Sequence, residues 1–169
     1  MRRDRDLAGR PRNARPRDAL GRPLDRTRAV EGDQRIPDDL ALAGADAAAL
    51  ADQLLRAGRP FHAHEVLEAS WKSAPPRERD LWQGLAQVAV GLTHALRGNA
   101  RGAVTLLRRG AERVRDYQGQ AASPPGRDHP YGIEIATFLA ASDDLAARIE
   151  RHGLAGIPAA DLRPGLVNP

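Results

Sequence analysis

Residues 81–96, Leu-Trp-Gln-Gly-Leu-Ala-Gln-Val-Ala-Val-Gly-Leu-Thr-His-Ala-Leu, carry no formal charge, in a chain that is 28% charged. A helix without charge on any side has to be covered on every side. The stretch therefore predicts the central helix of a bundle. At about 100° per residue, Leu81, Leu85, Val88, Leu92 and Leu96 share one face, and Gln83, Gln87 and His94 share another. Gly84 and Gly91, seven residues apart, line up between these faces and permit close approach of a neighbour. A buried amide or imidazole left without a partner costs roughly 1–3 kcal/mol, so another helix is expected to bring polar groups to Gln83, Gln87 and His94.

The preceding helix offers them. In Phe61-His62-Ala63-His64-Glu65-Val66-Leu67-Glu68-Ala69-Ser70-Trp71, a helical wheel gathers Phe61, Leu67 and Trp71 on one arc. His64 and Glu68, spaced i and i+4, fall within that arc, Glu65 lies at its edge, and His62 points elsewhere with Val66. His64, Glu68 and His94 are thus expected to be buried and to meet across the two helices. A bland alternative for Glu68 is an ion pair with Lys72 on the helix surface.

Turn chemistry sets the remaining boundaries. Asp46 can cap a first helix running to residue 57, Gly58 fits its stop, and Pro60 fits the first turn of the second helix, expected over 60–73. Pro75-Pro76 separates it from the third helix, expected over 77–97. Gly98-Asn99 closes that helix and opens a fourth over 100–118. Residues 119–130, with Pro124-Pro125-Gly126, read as a loop. A fifth helix follows over 135–151, with a break possible near Ser142-Asp143. No segment alternates like a strand. The expected fold is all-α, a compact antiparallel bundle of five to six helices over residues 38–152, with an irregular C-terminal tail over 153–169.

The charge is uneven. Residues 1–35 hold eleven arginines against six acids, a net +5, so the rest of the chain sums to −1 within the overall +4. Large apolar residues are sparse there, so residues 1–37 read as an arginine-rich arm, disordered or loosely docked on acidic groups such as Glu65. The arm has no aromatic for base stacking and its acids cancel more than half of its positive charge, which disfavours nucleic acid as a partner. There is no cysteine, which excludes disulfides, thiolate zinc sites and thiol nucleophiles. No apolar run approaches the roughly 18 residues of a membrane span, and no apolar run follows the first arginines as in a secretory signal. A cytoplasmic protein with no membrane role is the expectation. The serines and threonines have no adjacent base in a recognisable arrangement, and Gly98-Asn99-Ala100-Arg101-Gly102 follows no strand, as a phosphate loop would.

Two histidines and a carboxylate facing one another could hold a divalent metal such as zinc, manganese, iron or nickel, with His64, Glu68 and His94 as candidate ligands. The spacing is not the zincin signature, because Glu68, not a second histidine, stands four residues after His64. A small polar ligand, or a hydrogen-bonded core with no cofactor, fits the same residues.

Phe61-x-x-His64-Glu65-x-x-Glu68-x-x-Trp71, then Trp82-Gln83-Gly84-Leu85-x-Gln87-x-Ala89, then His94-x-x-x-Gly98-Asn99-x-x-Gly102-Ala103, resembles the bacterial family known as domain of unknown function 309, over roughly residues 46–117. The resemblance implies a small all-α bundle of five or six helices and no particular activity. It maps the family's histidine and glutamates to His64, Glu65 and Glu68, its glutamines to Gln83 and Gln87, and its histidine before the Gly-Asn turn to His94. The arm lies outside it.

Two functions from different classes follow. The first is a metal- or ligand-binding bundle, with or without enzymatic activity, using His64, Glu65, Glu68, Gln83, Gln87 and His94 toward a small-molecule partner. The second is a non-enzymatic module for a protein partner, in which the polar cluster is structural. A homo-oligomer is open under both. The sequence shows no repeat of about 34 residues, which argues against a solenoid.

Overall fold

The structure is a computed structural model that describes residues 18, 20–22, 42, 44–119 and 129–167. Most of the arm read as disordered or docked lies outside the described residues. Five helices follow in order: α1 (Gly44–Arg56), α2 (Pro60–Ser73), α3 (Arg79–Leu96), α4 (Ala100–Gly119) and α5 (Ile135–His152). Short 3-10 turns occupy Pro76–Glu78, Pro130–Gly132, Leu154–Gly156 and Ala159–Leu162. The described residues contain no strand, only one isolated antiparallel bridge between Ile133 and Val167. None of their helices is long and apolar enough to cross a membrane.

The hairpins between helices are set by backbone chemistry that glycine alone suits. At the end of α1, Gly58 turns left-handed with φ +70. Its N–H reaches Leu55 O at 2.9 Å, and the Arg59 N–H reaches Leu54 O at 2.8 Å. That pair of bonds is a Schellman closure, which satisfies carbonyls the helix end leaves open. The end of α3 repeats it: Gly98 has φ +81, its N–H bonds Ala95 O at 3.0 Å, and Asn99 N–H bonds His94 O at 2.9 Å. Pro60 then starts α2, where its missing N–H costs nothing. Two boundaries differ from expectation. Helix α1 begins at Gly44, which places Asp46 in its first turn rather than at its cap. Residues 76–78 form a separate 3-10 turn before α3. Helix α5 runs unbroken through Ser142, because the hydroxyl there bonds Phe138 O at 2.8 Å within the helix.

Helix α3 is the centre, as the uncharged run over 81–96 requires. Eleven of its 18 residues are buried, among them Leu81, Trp82, Leu85, Val88 and Leu92. It packs on α2 on one side and most extensively on α4 on the other. The α4 contact depends on glycines. A methyl group on Gly84 would sit 2.6 Å from Val114 Cγ2 and 2.7 Å from Gly110 O, and one on Gly110 would sit 2.6 Å from Gly84 O. One on Gly91 would lie 3.0 Å from Leu107 N. The two backbones touch there, as the spacing of Gly84 and Gly91 anticipated.

The C-terminal residues are irregular but anchored. Asp52 on α1, only 7% exposed, accepts the N–H groups of Leu166 (2.6 Å) and Val167 (3.1 Å) on Oδ1, and Arg56 Nε on Oδ2 (2.8 Å). Glu134 N–H donates to Leu166 O at 3.0 Å, and Leu166 is buried. This clamp joins the start of the bundle to the start of α5. At the other terminus, Asp18 Oδ1 gathers the N–H groups of Leu20 (2.9 Å) and Arg22 (2.7 Å) into a tight turn. Gly21 is buried in that turn with φ +72 against the Phe61 ring, and Arg97 donates to Leu20 O at 2.9 Å.

Candidate functional site

The polar residues of α2 and α3 form two separate arrangements. In the first, His64, Glu68 and Trp71 of α2 face Gln83, Ala86, Gln87 and Val90 of α3 around a pocket of about 190 Å³, open on one side. The spacing of four residues places His64 above Glu68 and Gln83 above Gln87, one pair on each wall. His64 Nε2 lies 3.7 Å from Glu68 Oε2, and Lys72 Nζ lies 3.0 Å from Glu68 Oε1. Burial pushes the His64 imidazole below its ordinary range. The Glu68 carboxylate pulls it back up and Lys72 pushes it down. The ring is neutral at pH 7. Nε2 faces the carboxylate, and in the tautomer that puts the proton there Nδ1 is an acceptor, although 3.7 Å is too long for a hydrogen bond to fix that choice. His64 Nδ1 and Gln87 Oε1 are both shut off from water and have no hydrogen-bond partner among the described residues. Such groups usually find partners, in protein, water or ligand.

The second arrangement surrounds His94. Asn99 precedes the first residue of α4, and its Oδ1 accepts the Gly102 N–H at 2.9 Å, which caps that helix. The cap turns the other end of the amide toward α3, and Asn99 Nδ2 lies 2.8 Å from His94 Nδ1. Since the amide nitrogen can only donate, His94 Nδ1 is an acceptor and the ring proton sits on Nε2. A side chain on Gly102 would collide with this clasp, 2.6 Å from Asn99 Nδ2 and 2.7 Å from His94 Nδ1. His94, Gly98, Asn99 and Gly102 therefore form one structural unit that fixes the α3–α4 hairpin.

Several sequence expectations are corrected by this geometry. His64, Glu68 and His94 are partly rather than fully buried, with the His64 side chain 25% and the Glu68 side chain 35% exposed. Trp71 is also only half-buried, whereas Trp82 is 2% exposed. The buried histidine of α2 is His62, at 4%, on the arc with Ala63, Val66 and Leu67. The reason is that α2 packs against α1 as well as α3, so the deepest arc runs through His62 and Val66. The apolar Val66 beside His62 was the available signal. Glu68 takes the surface pair with Lys72. Glu65 is half-buried and does not line the pocket.

His94 does not line it either, so the three proposed metal ligands do not converge. Among the described residues no group of three or more histidine, aspartate or glutamate side chains is placed to hold a metal ion. His94 presents Nε2–H rather than a lone pair, and the pocket itself offers only His64 and Glu68 as ligand types. The residues do not fit a divalent metal.

Fold and site define a small all-α bundle with a polar pocket between its second and third helices. Residues 49–106 match the family model described as "Domain of unknown function (DUF309)", as the motif resemblance implied. The matched stretch contains both the pocket and the His94 clasp. The uncharacterized protein YpuF of Bacillus subtilis (strain 168) is 37% identical over 76 residues, which is 44% of this chain and 43% of that relative. The likeness thus spans less than half the length of the relative. No solved structure matches the chain at a significant level.

Proposed function

We propose that the α2–α3 pocket binds a small, neutral, polar molecule that donates hydrogen bonds. The observation that carries this reading is an open pocket with polar side chains on both walls, in which His64 Nδ1 and Gln87 Oε1 have no hydrogen-bond partner among the described residues. Left unmet, each costs roughly 1–3 kcal/mol, and a turn of the imidazole or the amide toward the pocket lets a guest bearing N–H or O–H groups meet them. Trp71 and Val90 supply apolar walls, and Glu68 and Gln83 add polar groups that orient the guest. Glu68, beside a neutral His64, could also act on a bound proton, so the site serves a binding protein or an enzyme equally.

The test is a titration of ¹⁵N-labelled protein with acetamide, ethylene glycol and imidazole, read at the Trp71 indole N–H and the Gln83 and Gln87 side-chain amides. Saturable shifts that vanish in Gln87→Leu support the reading. Absence of any saturable shift sinks it and favours the second reading, a non-enzymatic module for a protein partner. That alternative draws on the contact of His94 with Asn99, both part of the same motif, at the α3–α4 hairpin rather than in the pocket.

A further inference from the structure

A second cavity, of about 180 Å³, shares no lining residue with the first. It lies where the end of α2, the 3-10 turn Pro76–Glu78, the start of α3 and the turn Pro130–Gly132 meet. Ser70, Ser73, Glu78, Trp82 and Tyr131 line it. Tyr131 is held there in a left-handed conformation, φ 59, that a bulky residue rarely adopts. Its ring lies 5.4 Å from that of Trp82, and its hydroxyl donates to Glu78 Oε2 at 2.6 Å.

The hydrogen-bonding character of the walls is one-sided. Ser70 donates its hydroxyl proton to Val66 O at 3.2 Å, and Ser73 donates to Ala69 O at 3.1 Å. Tyr131 has committed its proton to Glu78. Each hydroxyl retains only lone pairs for the cavity, and Glu78 adds a carboxylate whose side chain is only 14% exposed. Two aromatic rings complete the wall, and aromatic faces attract cations. The Glu78 carboxylate and its own desolvation push the Tyr131 hydroxyl up to about 12, so it stays protonated and keeps holding Glu78 in place.

We propose that this cavity is a binding site for a primary alkylammonium group, with its N–H donors on Glu78 and the serine oxygens and its charge against Trp82 and Tyr131. The volume suits a chain of a few carbons, either a free amine or a lysine side chain of a partner. The natural competitor is on the chain itself. Arg77, 70% exposed, places Nη2 3.4 Å from Glu78 Oε1. Arg77 holds this pair from the solvent side, where water screens it, and a cation seated deeper displaces it.

The experiment titrates the ¹⁵N-labelled full chain with n-butylammonium chloride, with n-butanol and sodium chloride as matched controls. The expected result is a saturable shift of the Trp82 indole N–H with butylammonium and none with butanol, while the Trp71 indole, in the other pocket, stays still. Glu78→Gln keeps an acceptor for Tyr131 but removes the charge, and binding weakens by about tenfold or more. Arg77→Ala, at an exposed position, tightens binding. Nα-acetyl-lysinamide separates the sources: tighter than butylammonium assigns the site to a partner's lysine, and weaker assigns it to a free amine. Equal shifts from butanol, no saturation with butylammonium, or unchanged affinity in Glu78→Gln would overturn the proposal.

Discussion

Helix α3 has two seams, and they are built on opposite principles. Toward α4, backbone meets backbone at Gly84 and Gly110, and the polar groups at the hairpin, His94, Asn99 and Gly102, satisfy one another. Toward α2, the walls stand apart around a pocket, Trp71 is half-exposed, and His64 Nδ1 and Gln87 Oε1 are left without partners among the described residues. One motif supplies both seams. Among the described residues the α4 seam leaves one buried donor unmet, Arg113 Nε, whose neighbouring Nη1 reaches Asp80 Oδ1 of α3 at 2.9 Å, but its glycines leave no spare volume, and that close packing is a stabilising contact. A seam that keeps volume and unmet polar atoms gives up stability, which is what a binding site does. Substitutions that move each seam toward the other test this division.

The two tryptophans give the largest contrast. Trp82, 2% exposed, packs inside the bundle, and Trp82→Ala is expected to cost about 3–5 kcal/mol in urea unfolding. Trp71 lines the pocket and is half-exposed, so Trp71→Ala loses clearly less. Equal losses would break the comparison.

A methyl group separates the seams next. Gly84→Ala drives a carbon to 2.7 Å from the Gly110 carbonyl, and a backbone oxygen cannot swing aside. The cost is about 1–3 kcal/mol. On the other seam, Gln87→Leu removes an unmet acceptor at nearly constant size, and is expected to be neutral or stabilising. A large destabilisation by Gln87→Leu would mean that its amide is structural and the pocket is not a site. Asn99→Ala comes below these, at about 0.5–2 kcal/mol, because it removes a helix cap. It also frees His94, whose ring resonances should show mixed tautomers in place of one.

The fold was legible because it rests on local signals. The uncharged run over 81–96 marked the centre, and Gly58, Pro60 and Gly98-Asn99 marked the hairpins, since a left-handed turn or a missing N–H has few solutions. The site was legible only in part. A helical wheel assigns one buried arc to a helix, but α2 has neighbours on two sides, and this moved His64 to an edge and His62 inside. The wheel also set His94 beside Gln87 without seeing that Asn99, one residue before α4, would engage its ring. The tail contacts of Asp52 and the Tyr131–Glu78 pair join residues far apart in sequence, at 114 and 53 positions of separation. Neither helical periodicity nor turn chemistry bears on such pairs.

The smallest expected effect is the one most specific to the pocket seam. Burial holds His64 below its ordinary titration range in the folded chain, while the unfolded chain titrates near 6.5. As pH falls through that value the unfolded chain takes up a proton at this position before the folded chain does. Linkage then lowers stability progressively until pH passes below the folded value. At pH 8 both states are neutral there and the contribution is fully present. His64→Gln, which cannot titrate, is expected to flatten the acid side of the stability curve between about pH 6.5 and the folded value. His94→Gln serves as the contrast at pH 8, where losing the ring that Asn99 Nδ2 engages in the other seam should lower stability. Urea melts at intervals from pH 8 to pH 5 check this. An unchanged slope in His64→Gln would show that the imidazole is solvated after all, and the pocket would lose one of its two unpartnered polar atoms.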